Sequence, residues 1–157
     1  MNMKRRVFLK GTLASGAVAV AVGAGLLTSG QVLAAAWPDN AFGPRSVSDA
    51  LKALHNTDAS TASTAIEIEA PDIAENGMVV PITVKTSLGN VESIQILAEK
   101  NNSPLAASFE MTPTIAGFVS TRIKMGQTSD IIAVVKSGGK LHTARREVKV
   151  TVGGCGG

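Results

Sequence analysis

The segment Ile131-Ile132-Ala133-Val134-Val135 contains five apolar residues in succession, so neither side of an extended chain here is suited to solvent. A run of this kind is typical of a central β-strand that is covered on both faces. Ser137-Gly138-Gly139-Lys140 follows and has the composition of a tight hairpin turn. Beyond the turn, Val148, Val150 and Val152 alternate with polar residues. This alternation predicts a second strand that returns beside the first.

The same alternation of apolar and polar side chains recurs upstream of this pair. Asn76-Gly77 is a strong hairpin signal between two of these segments. Pro81 predicts an edge strand or a bulge, because proline cannot donate to a sheet ladder. Six or seven short strands in all predict an all-β fold, an antiparallel β-sandwich. The further strands are expected near residues 64–70, 80–85, 93–98, 105–111 and 119–125.

A short helix is expected before the strands. Ser46 is the predicted N-cap of this helix, because serine is favoured at that position, and Asp49 lies at the capping-box position three residues later. Val47, Leu51 and Leu54 then fall on one face at helical spacing.

The first 36 residues are predicted to be a twin-arginine signal peptide. Arg5-Arg6-Val7-Phe8-Leu9-Lys10 has the form of the motif, and an apolar stretch rich in Gly and Ala follows it. Ala34-Ala35-Ala36 supplies small residues for cleavage, so Trp37 is the expected amino terminus of a periplasmic chain. The alternative is a transmembrane anchor, since the apolar run exceeds about 18 residues. The cleavage site and the glycines favour a signal peptide without a stable membrane anchor.

The basic charge of the whole chain resides in this leader. The chain has 15 Lys and Arg against 12 Asp and Glu, and four of the basic residues but none of the acidic ones precede Ala36. The remainder has 11 basic and 12 acidic side chains, a net charge of −1. That balance does not favour nucleic acid as a partner. An aromatic content of 3% without tyrosine also argues against a base-stacking surface.

The chain ends in Gly153-Gly154-Cys155-Gly156-Gly157, and Cys155 is its only cysteine. The glycines cannot shield the thiol and favour a flexible arm, and five residues reach at most about 16 Å. Such an arm cannot build a pocket, but it can carry a sulfur atom into the pocket of another protein. In an oxidising compartment, an odd cysteine is either joined to another molecule or kept for chemistry.

These boundaries divide the chain into four parts. They are a signal peptide at 1–36, a loop and helix at 37–63, a β-sandwich domain at 64–152 and the arm at 153–157.

No other constellation of residues predicts catalysis. His55 and His142 are far apart and have no cysteine or carboxylate at ligand spacing, so we expect ordinary imidazoles and no metal site. No phosphate-binding loop or cofactor motif is present. A pair of Cys155 with His142 would need a walled site, which glycines do not supply. An exposed thiol without a fixed cation should react as a free thiol, which favours a carrier over an enzyme.

The predicted last strand is basic. Arg145, Arg146 and Lys149 lie on it, with Lys140 at its turn. These charges could steer an anionic substrate or an acidic partner. The interruption by Glu147 favours the simpler interpretation, which is solvated strand charge.

Several stretches resemble the SoxY family, the sulfur-carrier subunits of the Sox thiosulfate-oxidising system. The terminal Gly-Gly-Cys-Gly-Gly segment resembles the swinging arm of that family, and the leader is similar as well. The internal stretches that resemble the family's characteristic segments are residues 70–77, 97–101, 104–109 and 119–126.

The resemblance implies a fold, partners and a role for Cys155. It implies an immunoglobulin-like β-sandwich that pairs with SoxZ, a smaller β-sandwich without its own signal. It also implies that the c-type cytochrome SoxAX joins thiosulfate oxidatively to the cysteine. SoxB would then release sulfate by hydrolysis, and SoxCD, where present, would oxidise the remaining sulfur. Cys155 is thereby the covalent attachment site, and the arm's hinge residues are Gly153, Gly154, Gly156 and Gly157.

The leading hypothesis is a non-enzymatic covalent carrier of sulfur intermediates in periplasmic thiosulfate oxidation. The alternatives are an interaction module that uses Cys155 for an intermolecular disulfide, and a cysteine-dependent enzyme. Val79-Val80, Phe118 and the edge at Pro81 are possible contact regions for SoxZ, but they fit the core or edge of a lone domain equally well.

Overall fold

The computed structural model describes residues 39–112 and 117–151. The predicted signal peptide, the expected terminus at Trp37 and the arm lie outside these residues. In chain order the described elements are α1 (Asp39–Phe42), α2 (Val47–His55), β1 (Thr61–Ala62), β2 (Ile66–Glu69), β3 (Ile73–Ala74), β4 (Val80–Thr86), β5 (Val91–Ala98), β6 (Leu105–Glu110), β7 (Phe118–Ile123), β8 (Ser129–Ser137) and β9 (Lys140–Val150).

The strands form two sheets, as the sequence predicts. The larger sheet has the order β1-β9-β8-β5-β6, and β3 also pairs with β9. The smaller sheet has the order β2-β4-β7. The long strands pair antiparallel, whereas the two-residue strands β1 and β3 pair with β9 in parallel. The all-β prediction is therefore confirmed, and the sheet begins at Thr61, earlier than the expected start at Thr64.

One apolar cluster lies between the sheets. It takes alternate residues from each long strand, which is why the sequence shows a period of two. Its fully buried side chains include Val80, Ile82, Val84, Ile94, Ile96, Ile131, Ala133, Val135 and Val148.

A second apolar cluster covers the outer face of the larger sheet. Leu97, Ile132 and Val134 point to this side and pack with Ala50 and Leu51 of α2. Because α2 lies here, β8 is buried on both faces, as predicted for the run Ile131–Val135. The same cover explains why β5 is buried continuously from Ser93 to Ala98.

Helix α2 begins after its predicted N-cap, Ser46. Ser46 has extended backbone, and its Oγ accepts a hydrogen bond of 3.1 Å from the Asp49 amide. The same hydroxyl donates to Asp49 Oδ2 at 2.7 Å. The helix ends at Asn56, which adopts the left-handed conformation with φ of 58°.

The turn between β8 and β9 is the predicted hairpin. Ser137 pairs with Lys140, and the two residues between them, Gly138 and Gly139, have φ values of 55° and 74°. Two consecutive positive φ values favour glycine at both positions. The hairpin fixes the register of β9 against the buried strand.

Two local expectations were wrong. Asn76-Gly77 does not close a hairpin, because it joins β3 of the larger sheet to β4 of the smaller one. Its glycine is required by close packing, since a Cβ there would lie 2.4 Å from the Met125 carbonyl oxygen. Pro81 is not on an edge strand, because β4 lies between β2 and β7. It is tolerated because β2 pairs only with residues 83–86 and ends before reaching it.

Replacing Gly77 by Ala should destabilise the fold by about 1–3 kcal/mol, because the new methyl group would clash with Met125 and Val150. The control is Gly89→Ala, where a Cβ meets no atom within 4 Å. Urea denaturation of both variants measures the difference. Equal free energies of unfolding for the two variants would contradict this account of Gly77.

His55 should make stability depend on pH. Its Nε2 lies 3.2 Å from Oε1 of the buried Gln95, and burial lowers the pKa of His55. As the pH falls, His55 therefore takes up a proton at a higher pH in the unfolded chain than in the folded chain. The free energy of unfolding should decrease as the pH is lowered from about 7 to about 5. His55→Gln, which can still bond Gln95, should reduce this slope, and the control His142→Gln should keep it. A slope that is unchanged in His55→Gln would refute the assignment.

Candidate functional site

Cys155 and its four flanking glycines follow Thr151, the last described residue. Their roles as attachment site and hinge therefore stay predictions. The described part of the candidate site is the end of β9, from which the arm continues, together with the loops around it.

The end of β9 is held along one edge by β3. The Lys149 amide donates to the Asp72 carbonyl oxygen at 3.0 Å, and the Thr151 amide donates to the Ala74 carbonyl oxygen at 3.2 Å. Just before Lys149, the side chain of Val148 is fully buried in the core. The strand is thus fixed by its backbone as far as Thr151.

The other edge is held by the side chain of Thr128. The Val150 amide donates to Thr128 Oγ1 at 2.9 Å, and this hydroxyl donates in turn to the Val150 carbonyl oxygen at 3.4 Å. A single hydroxyl thereby satisfies both backbone groups of Val150 at the point where β8 no longer pairs with β9. The base of the arm is consequently fixed on both edges.

Three loops lie at this end of the sandwich. They connect β3 to β4, β5 to β6 and β7 to β8. The Met125 amide donates to the Gly77 carbonyl oxygen at 2.7 Å, which joins the first loop to the third. The Glu99 amide donates to the Asp130 carbonyl oxygen at 3.0 Å, which places the second loop beside the start of β8.

The second and third loops enclose an open cleft of about 400 Å³. Its shape is set by the Asn101 side chain, whose Nδ2 donates to the Lys124 carbonyl oxygen at 2.7 Å and whose Oδ1 accepts from the Gly126 amide at 3.0 Å. Gln127 Nε2 adds a hydrogen bond of 3.0 Å to the Lys100 carbonyl oxygen. The lining residues are Lys100, Asn101, Asn102, Ser103, Lys124, Gly126 and Gln127.

Exposed apolar side chains lie beside the base of the arm. Ile73, Met78 and Val79 are about half exposed, with Val79 at 51%. Val80, in contrast, is fully buried in the core. Phe118 is 49% exposed but pairs with Lys85, at the end of β4 remote from Val80. Of the contact regions suggested by the sequence, Val79 is the one that is both exposed and on a loop at the described end of β9.

The arginines of β9 are paired with nearby acids. Arg145 lies 3.0 Å from Glu99 and 3.5 Å from Asp130, and Arg146 lies 2.8 Å from Asp72. The hydrogen bond to Glu99 raises the pKa of Arg145. These contacts favour the interpretation of ordinary, locally balanced strand charge over a steering surface.

Neither histidine lies at the end of β9. His55, the last residue of α2, is hydrogen-bonded to Gln95 of β5. His142 pairs with Val135 near the hairpin, eight residues before Val150. Those eight residues span about 26 Å of strand, against at most about 16 Å for the five residues from Val150 to Cys155. The distance weighs against a catalytic pair of Cys155 with His142.

Two further findings concern the described residues, 39–112 and 117–151. No group of three or more His, Cys, Asp or Glu side chains within them is arranged to hold a metal ion. Neither of the two helices has the length and apolar character that crossing a membrane requires.

A family model described as sulfur oxidation protein SoxY matches residues 51–155. The chain belongs to the SoxY family. The match covers the described sheets and ends at Cys155. A search of curated proteins found no match.

A solved SoxY structure supports the same assignment. The sulfur carrier protein SoxY from Chlorobium limicola f thiosulfatophilum is 44% identical to the chain, with a TM-score of 0.63. The alignment covers 70% of this chain and 96% of that one. A superoxide reductase (neelaredoxin) from Ignicoccus hospitalis matches at 17% identity and a TM-score of 0.51, over 55% of this chain and 80% of that one. This second likeness shows the fold alone.

Sequence reasoning missed Thr128 and the residues of the cleft. Residues 101–104 and 126–129 are polar and rich in Asn, Ser, Gly and Thr, which indicates turns and nothing more. One signal for a polar cleft was available in the sequence. Lys100 and Lys124 each lie just before one of these turns, and Glu99 is the acidic residue beside Lys100.

Replacing Thr128 by Val should loosen the base of the arm. Loss of two hydrogen bonds to Val150 should speed amide exchange at Val150 and Thr151 by about fivefold or more, since each bond is worth about 1 kcal/mol. Thr83→Val is the control, because the Thr83 hydroxyl contacts Ser120 on the smaller sheet. Hydrogen exchange followed by NMR measures the effect. Unchanged exchange at Val150 in Thr128→Val would contradict this role of the hydroxyl.

Proposed function

We propose that the chain is a covalent carrier of sulfur intermediates in periplasmic thiosulfate oxidation, with Cys155 as the attachment site. Membership of the SoxY family carries the proposal, and a solved relative at 44% identity is described as a sulfur carrier protein. The chain is not itself an enzyme in this proposal, because other proteins load and unload the thiol.

The chemistry at Cys155 has two stages. In the first, the thiol sulfur forms a bond to the outer sulfur of thiosulfate, which releases one proton and two electrons to a SoxAX-type cytochrome and leaves Cys–S–S–SO₃⁻. In the second, water attacks the terminal sulfonate under a SoxB-type hydrolase, which releases sulfate and two protons and leaves a persulfide anion. A SoxCD-type dehydrogenase would oxidise that sulfane sulfur. Each stage needs the thiol to enter a different active site.

The described base of the arm fits this role. Backbone bonds from β3 and the hydroxyl of Thr128 hold the strand as far as Thr151, and Cys155 lies four residues further along the chain. The four glycines around Cys155 keep the arm narrow and supply the hinge. A fixed base with a short, narrow arm supports presentation of the thiol to a pocket in another protein.

The proposal includes SoxZ as the stable partner and the twin-arginine route to the periplasm. Three half-exposed apolar side chains near the described end of β9, Ile73, Met78 and Val79, support a partner at this end of the domain. Arg5-Arg6 and the Ala34-Ala35-Ala36 cleavage site support export. A SoxZ-like chain should therefore co-purify with the protein from the periplasmic fraction.

Intact-mass analysis of the protein from thiosulfate-grown cells tests the proposal. We expect a chain that begins at Trp37 and carries thiosulfonate, persulfide or related adducts on Cys155. A reducing agent should remove the adducts, and a Cys155→Ser variant should lack them and fail to support thiosulfate oxidation.

Two results would contradict the proposal. One is an unmodified thiol on all of the protein while the cells oxidise thiosulfate. The other is a disulfide dimer on non-reducing electrophoresis that accounts for essentially all of the protein and is not consumed during turnover. The second result would favour the intermolecular disulfide as the function of Cys155.

A further inference from the structure

We infer that α1, α2 and the turn after them form a pH-sensitive cover on the larger sheet, which opens as a unit when His55 is protonated while the two sheets stay folded. The cover is defined as residues 39–58. It lies outside the candidate site, and the inference does not depend on the proposed carrier function.

The cover belongs to an apolar cluster of its own. Among the described residues, the core between the sheets includes none from the cover. The cover packs on the opposite face of the larger sheet, where Ala50 and Leu51 join a cluster with Leu97, Ile132 and Val134. The core between the sheets would therefore keep its contacts if the cover moved away. A local opening of this kind costs less free energy than unfolding of the whole domain.

The cover is held in place by few apolar contacts of its main helix. Helix α2 has nine residues, of which Ala50 and Leu51 are buried. A helix shorter than about 12 residues is only marginally stable in water without such packing. The turn after the helix is tied to it, because Lys52 lies 3.3 Å from Asp58 and the Ser48 hydroxyl donates to the same carboxylate. The helix and this turn can therefore move together.

Polar contacts attach the cover to the sheet at both of its ends. At the α1 end, the Ser103 hydroxyl donates to the Phe42 carbonyl oxygen. At the end of α2, Nε2 of His55 lies 3.2 Å from Oε1 of Gln95, which is fully buried on β5. The Gln95 side chain is itself held, since its Nε2 donates to the Ser108 hydroxyl at 3.4 Å. His55 thus attaches the end of the cover to a fixed polar group of the sheet.

The surroundings of His55 favour its neutral form. Partial burial lowers the pKa of His55, and the positive charge of Lys136 on β8 acts in the same direction, whereas Glu92 of β5 and Glu110 of β6 oppose it. Glu92 is already engaged, because it lies 2.8 Å from Lys136 and accepts a hydrogen bond of 2.7 Å from the Gly139 amide. In the part of the chain that the structure describes, no ion pair joins His55 to an acid.

Protonation of His55 would favour the open state through the burial of charge. The hydrogen bond to Gln95 does not decide the matter, since Nε2 can donate in the neutral and in the charged ring. A charged ring under the closed cover is partly withdrawn from water beside Lys136, which costs free energy. In the open state the ring is solvated and has an ordinary pKa of about 6.5. Opening therefore takes up a proton and becomes more favourable as the pH falls below about 7.

Opening would expose an apolar surface that is otherwise covered. Leu97, Ile132 and Val134 are buried in the closed state. Under the proposed carrier function, release of sulfate also releases protons, so the cover would respond to a product of the reaction that the protein serves. This link, unlike the cover itself, rests on the proposed function.

Hydrogen exchange followed by NMR tests the inference on the protein purified with any chain that accompanies it. After correction for intrinsic exchange rates, amides of α2 such as that of Leu51 should exchange at least about tenfold faster than those of Ile96 and Ala133 in the central strands. The opening constant of α2 should rise about threefold or more when the pH is lowered from about 7 to about 5.

Two pairs of variants identify the group responsible. His55→Gln can still bond Gln95 but cannot take up a proton, so the opening of α2 should no longer depend on pH, and the control His142→Gln should retain the dependence. Lys136→Gln removes the positive charge that faces His55 and releases Glu92, so it should weaken the dependence. Lys140→Gln, at the hairpin, is its control and should leave the dependence unchanged.

The possible results decide the inference. Equal opening free energies for α2 and for the central strands would show that the cover unfolds only with the whole domain. Faster exchange of α2 without any dependence on pH, or the same dependence in His55→Gln, would reject His55 as the trigger. If His55→Gln does not fold, an unchanged dependence in Lys136→Gln contradicts the inference instead. None of these measurements requires a modified Cys155, so failure of the carrier function would leave them unaffected.

Discussion

Strand β8 has no contact with solvent between Ile131 and Val135, and the surrounding elements are arranged to satisfy this. Its inner side chains pack against the smaller sheet, and its outer ones, Ile132 and Val134, are covered by α2. Its edges are paired with β5 and β9. Such a central strand needs a partner on each edge, and its pairing with β9 places the described end of β9.

The pairing of β9 with β8 also brings the end of β9 beside β3 and Thr128. Ordering the backbone costs about 1–2 kcal/mol per residue, so a strand end stays fixed only where contacts offset that cost. Val148 provides apolar burial, and β3 with Thr128 provides hydrogen bonds for Lys149, Val150 and Thr151. The glycines after Val152 have no side chains with which to make such contacts. The described hydrogen bonds thus hold β9 as far as Thr151, four residues before Cys155.

Much of this arrangement could be predicted from the sequence, and the parts that could not share a cause. Strands such as β4 and β8 are long enough to show a period or a continuous run, and α2 has its cap at Ser46. The two-residue strands β1 and β3 carry no period at all. Asn76-Gly77 has the composition of a hairpin turn. Its glycine is required for another reason, because a Cβ there would clash with Met125, which is distant in sequence. Local sequence patterns predicted the local structure. The contacts between segments distant in sequence could be identified only from the structure.

The candidate site follows the same division. Cys155 was singled out by composition alone, because one cysteine between glycine pairs is a purely local feature. The cleft is assembled from two loops, around Lys100 and around Lys124, that are joined through the Asn101 side chain. Neither loop has the pattern of a binding motif by itself. A site made of such loops depends on the register of β5, β8 and β9, which no single stretch of sequence encodes.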